Sequence, residues 1–289
     1  MGRLDLSFMR HMSKDEFRIL TAVEMGMKNH ALVPLQLVAS IAKVRTVGGG
    51  VHKAVSSLMA NRLLHRECQA YEGYRLTTSG YDVLALKALL SRGVLSAVGQ
   101  KVGVGKESDI YRAMTPSGEE VIIKLHRLGR TSFRAVKRKR DYLRNKASGN
   151  WLYLSRLAAM REYAFMRALH ANGFPVPTPK DQNRHIVVMS LVPGFPMYQL
   201  RAGEMAHNEF NLMIGFDEKV TLIDFPQMIS VHHANAEELF DRDVQGIIKY
   251  FAMKQHSVVE EEDRPRLPNI LLELEGERRA NAERKRRMP

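Results

Sequence analysis

The sequence predicts an α+β chain of two domains in series. A run of helix signals closes on a short β-hairpin, the pattern then changes from helical to strand period near Val98, and 45% hydrophobic residues over 289 positions suffice for two packed cores. The first domain, residues 1–92, reads as helix, helix, helix, hairpin, helix. Ser13 and Glu16 have capping-box spacing, and Met12 and Phe17 are placed for a hydrophobic staple, so a helix starts at about Lys14. Pro34 suits the first turn of a second helix carrying Leu37, Val38 and Ile41, and Gly48-Gly49-Gly50 breaks the chain before a third. There Val51, Val55, Leu58 and Met59 form the apolar stripe, with His52, Lys53, Ser56, Asn61 and Arg62 on the other face. Leu63 to Cys68 and Tyr74 to Thr77 read as short strands flanking Glu72-Gly73, and Ser79 with Asp82 can cap a last helix to about Ser91. Three helices and a two-stranded wing make a winged helix-turn-helix. Such a module contacts nucleic acid or ribonucleoprotein, or serves as a packing or protein-docking domain.

Composition narrows the setting. A net charge of +13 favours a polyanionic partner, because each Lys or Arg that neutralises a phosphate releases a condensed counterion. A single cysteine, Cys68, forms no internal disulfide and no multi-cysteine zinc site, which suggests a reduced, intracellular protein. Apolar runs such as Val83 to Leu90 are far shorter than the ~20 residues of a membrane span, and no signal peptide precedes the first helix. The expectation is a cytoplasmic protein without a membrane partner.

From Val98 the chain reads as an antiparallel meander: Val98 to Val102, a glycine-rich turn at Gly103-Val104-Gly105-Lys106-Glu107-Ser108, Ile110 to Met114, a turn at Pro116-Ser117-Gly118, then Glu120 to Leu125. The turn is not a Walker A loop, since no Gly lies five residues before Gly105 and Glu follows Lys106. Lys124 sits in the apolar run Val121-Ile122-Ile123-Lys124-Leu125, where an ammonium needs an anion or a carboxylate unless it reaches solvent. A helix from about Asn150 to His170 offers one, because Ala158, Glu162, Met166 and Leu169 share a stripe. A glycine hairpin, a strand lysine and a helical glutamate, in that order, resemble the nucleotide site of protein kinases. Ile186 to Leu191, including Met189 and Ser190, reads as a strand entering a hinge at Pro193-Gly194 whose backbone can hold an adenine. Asn211 to Ile214 and Val220 to Phe225 form a hairpin carrying Asn211 and Asp224, hard oxygen ligands suited to Mg²⁺.

Gly103-Val104-Gly105-Lys106-Glu107-Ser108-Asp109, Lys124-Leu125-His126-Arg127-Leu128-Gly129, Asn208-Glu209-Phe210-Asn211 and Ile223-Asp224-Phe225-Pro226-Gln227 resemble the signature segments of the RIO family of atypical protein kinases. The winged helix is similar to that of the second subfamily, RIO kinase type 2, and the likeness runs from Met1 to about Lys254. It implies a bilobal kinase-like domain at 93–255, with an upper lobe at 93–191 and a lower lobe at 192–255, before a charged tail at 256–289. It further implies ATP and Mg²⁺ as cofactors, serine/threonine kinase or ATPase activity, and late cytoplasmic maturation of the small ribosomal subunit. The partners would then be pre-ribosomal RNA and ribosomal proteins, met by the winged helix and a basic loop. By resemblance Gly103, Val104, Gly105, Lys106 and Ser108 contact phosphate, and Lys124 pairs with Glu162. Met189, Ser190 and Leu191 line the adenine, Asn211 and Asp224 hold metal, and Asp224 can take a phosphoryl group transiently. The stretch Lys124 to Lys146 has ten Lys/Arg and one acid, and Ser132 within it is the candidate autophosphorylation site. The cluster Arg284 to Arg287 is a candidate nuclear-import signal, so shuttling through the nucleus accompanies the cytoplasmic expectation.

The chain departs from the family pattern in its catalytic loop. The family's His-Gly-Asp supplies a base that positions the phosphoryl acceptor, but Ala206 occupies the position of that Asp, and His207 directly precedes Asn208. Only 13 residues separate Gly194 from Asn208. Fully extended they reach about 45 Å, which joins the flanks but leaves no room for a long helix. The lower lobe is therefore expected to be shortened, exposing residues such as Leu239, Phe240 and Ile247. Glu204 is the nearest remaining carboxylate. Two readings follow: an isoform or gene-model variant of an active enzyme, or a nucleotide-binding pseudokinase.

Overall fold

Ser13 caps the first α-helix as its spacing requires. Its side chain accepts from the Glu16 amide at 3.2 Å while Glu16 Oε2 accepts from the Ser13 amide at 2.6 Å, and helix α1 (Lys14–Gly26) follows. In this computed structural model the described residues are 7–44, 49–68, 70–130, 150–197, 211–225, 228, 231–255 and 259–272. They divide into two compact units, one holding those of 7–130, 150–164 and 178–191, the other those of 165–177 and 192–272.

In the first unit α1, α2 (Leu35–Ala42), α3 (Gly50–Ala60) and the wing strands β1 (Leu64–Cys68) and β2 (Glu72–Leu76) enclose one core, with Ile19, Leu20, Val23, Val38, Val55, Leu58 and Leu63 buried. Pro34 is the N-cap of α2, one position earlier than its expected place in the first turn. The wing also turns elsewhere than expected. Cys68 pairs with Glu72 and Glu67 with Gly73, so Glu72 and Gly73 belong to the strand and the reversal lies between Cys68 and Glu72. Gly73 is needed there for close approach: a Cβ would come within 2.8 Å of Leu32 Cβ, where residue 33 bridges to Tyr74.

Helix α4 (Thr78–Ser91) is capped by Thr77, whose side chain accepts from the Gly80 amide at 3.0 Å, and not by Ser79 with Asp82. Asp82 is buried instead. Arg127 grips it with two bonds of 2.6 and 2.8 Å, and His185 Nε2 reaches it at 2.8 Å beneath the stacked ring of Tyr81. Arg184 similarly holds Glu24 of α1 at 2.8 and 2.6 Å. These pairs fasten α1 and α4 to a five-stranded antiparallel sheet of order β3-β4-β5-β7-β6. Its strands are β3 (Ala97–Val104), β4 (Ser108–Met114), β5 (Glu120–His126), β6 (Pro179–Asn183) and β7 (Ile186–Ser190). The expected meander is its first half. Gly103 and Val104 lie within β3, so the turn is shorter than the sequence suggested. Leu86 and Leu89 of α4 pack with Tyr111, Val121, Ile123 and Leu125 in a second core. Strand alternation then turns Ile122, Lys124 and His126 to the opposite face. Helix α5 (Trp151–Ala171) begins at Asn150, whose Oδ1 accepts from the amides of Leu152 and Tyr153 at 3.1 and 3.3 Å.

In the second unit β8 (Gly194–Pro196), β9 (Leu212–Gly215) and β10 (Val220–Leu222) form an antiparallel sheet of order β10-β9-β8, and α6 (Ala236–Gln255) follows. The expected hairpin is β9 and β10, to which β8 adds a strand. Leu239 and Phe240 of α6 are half-buried and Ile247 is 40% exposed.

Candidate active site

Lys124 of β5 and Glu162 of α5 meet as the sequence predicts. Nζ donates to Oε1 at 2.6 Å, with both side chains buried. The stripe that aimed Glu162 inward is real, since Ala158 and Met166 are also buried and Leu169 is half-buried. A third member was missed. His126, two residues along β5 and so on the same face as Lys124, brings Nε2 to 2.8 Å from Glu162 Oε2, outside the angular range of a good hydrogen bond. The alternation of β5 was the signal that could have revealed it. Burial by itself would raise the Glu162 pKa, but the Lys124 ammonium and then His126 hold it well below the ordinary value of 4.5. The carboxylate is therefore charged and fixes the ammonium beneath the sheet.

The glycine-rich turn is held from below by Asp109, a buried residue the sequence reading left without a role. Asp109 pairs with Lys101 at 3.0 Å, Arg127 at 3.2 Å and also Arg130. Burial raises its pKa, and Arg130, Lys101 and Arg127 reverse that to a net lowering. Arg130 also donates to the carbonyls of Gly105 and Ser108 at 3.2 and 3.4 Å, and the Gly105 amide donates to Ser108 O at 2.8 Å. Gly105 and Lys106 thus lie in a tight tip between Gly103 and Val104 of β3 and Ser108 of β4, with Lys106 exposed and Ser108 half-buried. At the end of β7 Met189 is buried, while Ser190 and Leu191 are half-buried. The Ser190 amide is engaged, donating to Thr178 O at 2.9 Å, and its hydroxyl accepts from the Thr178 amide at 2.9 Å.

In the second unit the Ile223 amide donates to Asn211 O at 2.9 Å, continuing the pairing of Leu212 with Leu222. Asn211 thereby lies opposite Ile223, with Asp224 the next residue at the open end of the hairpin, and both Asn211 and Asp224 are half-buried. Among the described residues no group of three or more His, Cys, Asp or Glu gathers as a metal site. An amide and one carboxylate fit Mg²⁺, which keeps waters and phosphate oxygens and takes few protein ligands. Ala206, His207, Asn208, Glu204, Ser132 and most of the basic loop, with Arg284 to Arg287, lie outside the described residues.

Two family models match this chain: the Rio2 N-terminal domain over residues 9–92 and the RIO domain over 109–208 and 204–264. The chain belongs to the Rio2 family. It is 50% identical over 272 residues to the serine/threonine-protein kinase rio2 of Dictyostelium discoideum, an alignment covering 86% of this chain and 52% of that protein. It is 46% identical to the Schizosaccharomyces pombe Rio2 kinase, covering 87% and 79% of the two chains. Against the Caenorhabditis elegans relative it spans 55% of the length, so it represents about half of some curated Rio2 proteins. The Chaetomium thermophilum Rio2 kinase, solved as an ADP/Mg²⁺–phosphoaspartate complex, matches with a TM-score of 0.79 and 42% identity over 92% of this chain and 88% of that one. The two RIO-domain stretches meet at 204–208, beside the 13 residues between Gly194 and Asn208.

Proposed function

We propose that this chain binds Mg·ATP and uses it as a serine/threonine kinase or ATPase of the Rio2 type, timing a step on a precursor of the small ribosomal subunit. The observation that carries the reading is the buried Lys124–Glu162 pair at 2.6 Å on a sheet led by a glycine-rich turn. An ammonium held by a carboxylate at a strand end is a ready point charge for α- and β-phosphate oxygens. With the Gly105 amide engaged, backbone at Lys106 and Glu107 and the Ser108 hydroxyl would cradle the phosphates, and the Lys106 side chain would add charge. With the Ser190 amide engaged, the adenine edge would be read by carbonyl and amide groups near Met189 and Leu191. Asn211 and Asp224 would hold Mg²⁺, whose chemistry when bound is to neutralise charge between phosphates. The phosphoaspartate of the Chaetomium relative supports Asp224 as the transient phosphoryl acceptor. In that step Asp224 Oδ attacks the γ-phosphorus, the bond from the β,γ-bridging oxygen breaks, and ADP leaves.

Ala206, where the family pattern has an acid, favours a second reading: nucleotide binding without turnover onto a hydroxyl. Titration calorimetry with Mg·ATP tests the site, and single-turnover hydrolysis of labelled ATP separates the readings. The first reading expects Mg-dependent binding that Asp224→Ala abolishes, together with measurable hydrolysis. Intact binding with no hydrolysis assigns the chain to the second. Mg-dependent affinity undiminished in Asp224→Ala overturns the metal assignment. The ribosomal role is tested by co-sedimentation of the tagged chain with small-subunit precursors, and its absence from those fractions would exclude it.

A further inference from the structure

A cavity of about 720 Å³ opens in the first unit, away from every residue assigned to the nucleotide. Its walls come from the segment after α1 (Met27, Lys28, Asn29, His30), the wing (His65, Arg75), the start of α4 (Thr78) and the start of α5 (Asn150, Trp151). Lys28, His30, His65 and Arg75 supply its ionisable groups, and among the described residues no carboxylate lines it. That is unusual here, since Asp82, Glu24, Asp109 and Asp181 each answer a neighbouring cation elsewhere in the unit. Glu67, outside the lining, lies 3.3 Å from Arg75 and 3.9 Å from His65. These are half-exposed pairs of the kind that contribute at most about 1 kcal/mol and exchange readily for another anion.

Three features bear on the occupant. Lys28 and His30 have no carboxylate in the cavity wall and Arg75 has only the half-exposed Glu67, a set that suits phosphate, and an indole in the same wall suits a base. Cations with an aromatic surface are the combination by which single strands are bound. The amide and hydroxyl donors Asn29, Thr78 and Asn150 suit sugar hydroxyls, and the volume lies within the usual range for ligand sites of about 300–1,000 Å³, too confined for a duplex. We propose that this cavity binds a short stretch of single-stranded RNA, with phosphates on Lys28 and Arg75 and a base against Trp151. The site gives the chain's +13 charge a specific contact point independent of ATP.

Trp151 is the only tryptophan in the chain, so its emission reports on this cavity directly. The experiment titrates the full chain with an octameric oligoribonucleotide at near-physiological salt, following Trp151 fluorescence and the anisotropy of a labelled octamer. Quenching should saturate, and Lys28→Glu/Arg75→Glu should weaken binding by roughly tenfold or more while lowering the salt slope by about 1.4, for two phosphates lost from a single strand. Arg18→Glu/Arg112→Glu, an equal charge change at exposed sites outside the cavity, should weaken it far less. Both substituted cavity residues are exposed, and Mg·ATP affinity measured in parallel shows that each variant is folded. Equal losses in the two double variants, absence of quenching, or equal affinity for duplex DNA would each overturn the assignment. Loss of Mg·ATP binding in Asp224→Ala with RNA quenching intact would leave it standing.

Discussion

Asp82 and Glu162 are both buried carboxylates flanked by one cation and one histidine, but the cations differ in kind. Asp82 is gripped by the guanidinium of Arg127 through both of its oxygens, with His185 on Oδ1. Glu162 meets the single ammonium of Lys124 through Oε1 and His126 on Oε2. A planar fork fixes direction as well as charge, so the Asp82 cluster works as a fastener between α4 and the sheet. An ammonium is a point charge with rotatable donors. It can keep its carboxylate and still turn hydrogens toward a phosphate, so the Glu162 cluster can do chemistry where the Asp82 cluster can only hold.

The comparison breaks most visibly on stability. Asp82→Ala leaves His185 and the two terminal nitrogens of Arg127 without their carboxylate in the interior, with Asp109 still on the Arg127 Nε, and should cost about 3–5 kcal/mol in chemical denaturation, with the remaining folded protein binding Mg·ATP within about twofold of the parent. A loss under about 1 kcal/mol would show that the network fastens nothing. Glu162→Gln should do the reverse. It keeps the shape and a hydrogen bond, so stability should fall by only about 1–3 kcal/mol, whereas Mg·ATP affinity should drop by roughly tenfold, about 1.4 kcal/mol, as Lys124 loses its anchor. Unchanged affinity would remove Glu162 from the site.

Both carboxylates are held below their ordinary values, Asp82 against 3.8 and Glu162 against 4.5. For Asp82 burial pushes the other way and is outweighed by His185 and Arg127. A depressed folded pKa gives stability that is present above the unfolded value and lost as pH falls through it toward the folded one. Urea midpoints from pH 7 to pH 3 should therefore fall on the acid limb. Asp82→Asn and Glu162→Gln should each flatten that fall, and an unaltered limb in both would contradict the assignment. The smallest expected effect is Ser13→Ala, about 1 kcal/mol from the lost cap of α1 with no change in Mg·ATP binding.

The same contrast explains what could be read in advance. Lys124 and Glu162 were legible because each breaks an apolar pattern, one in a strand and one on a helical stripe, and a charge in such a place needs a partner. Asp82 was misread because an acid early in a helix fits a cap equally well, and only the fold shows Arg127 arriving from 45 positions away. Gly73 reads as a turn residue in sequence because tight turning and close approach both call for glycine. β6, with the sequence Pro-Lys-Asp-Gln-Asn, carries no apolar alternation, since it is an edge strand that pairs with β7 alone. The hairpin that carries Asn211 and Asp224 was legible because hairpin register is local, and the Ile223 to Asn211 bond closes it.

The most direct measurement is a crystal structure of the chain grown with Mg·ADP. The account predicts Lys124 Nζ within hydrogen-bonding distance of an α- or β-phosphate oxygen while still bonded to Glu162, and Mg²⁺ about 2.0–2.1 Å from oxygens of Asn211 and Asp224. Nucleotide bound elsewhere, or metal coordinated without Asp224, would contradict it.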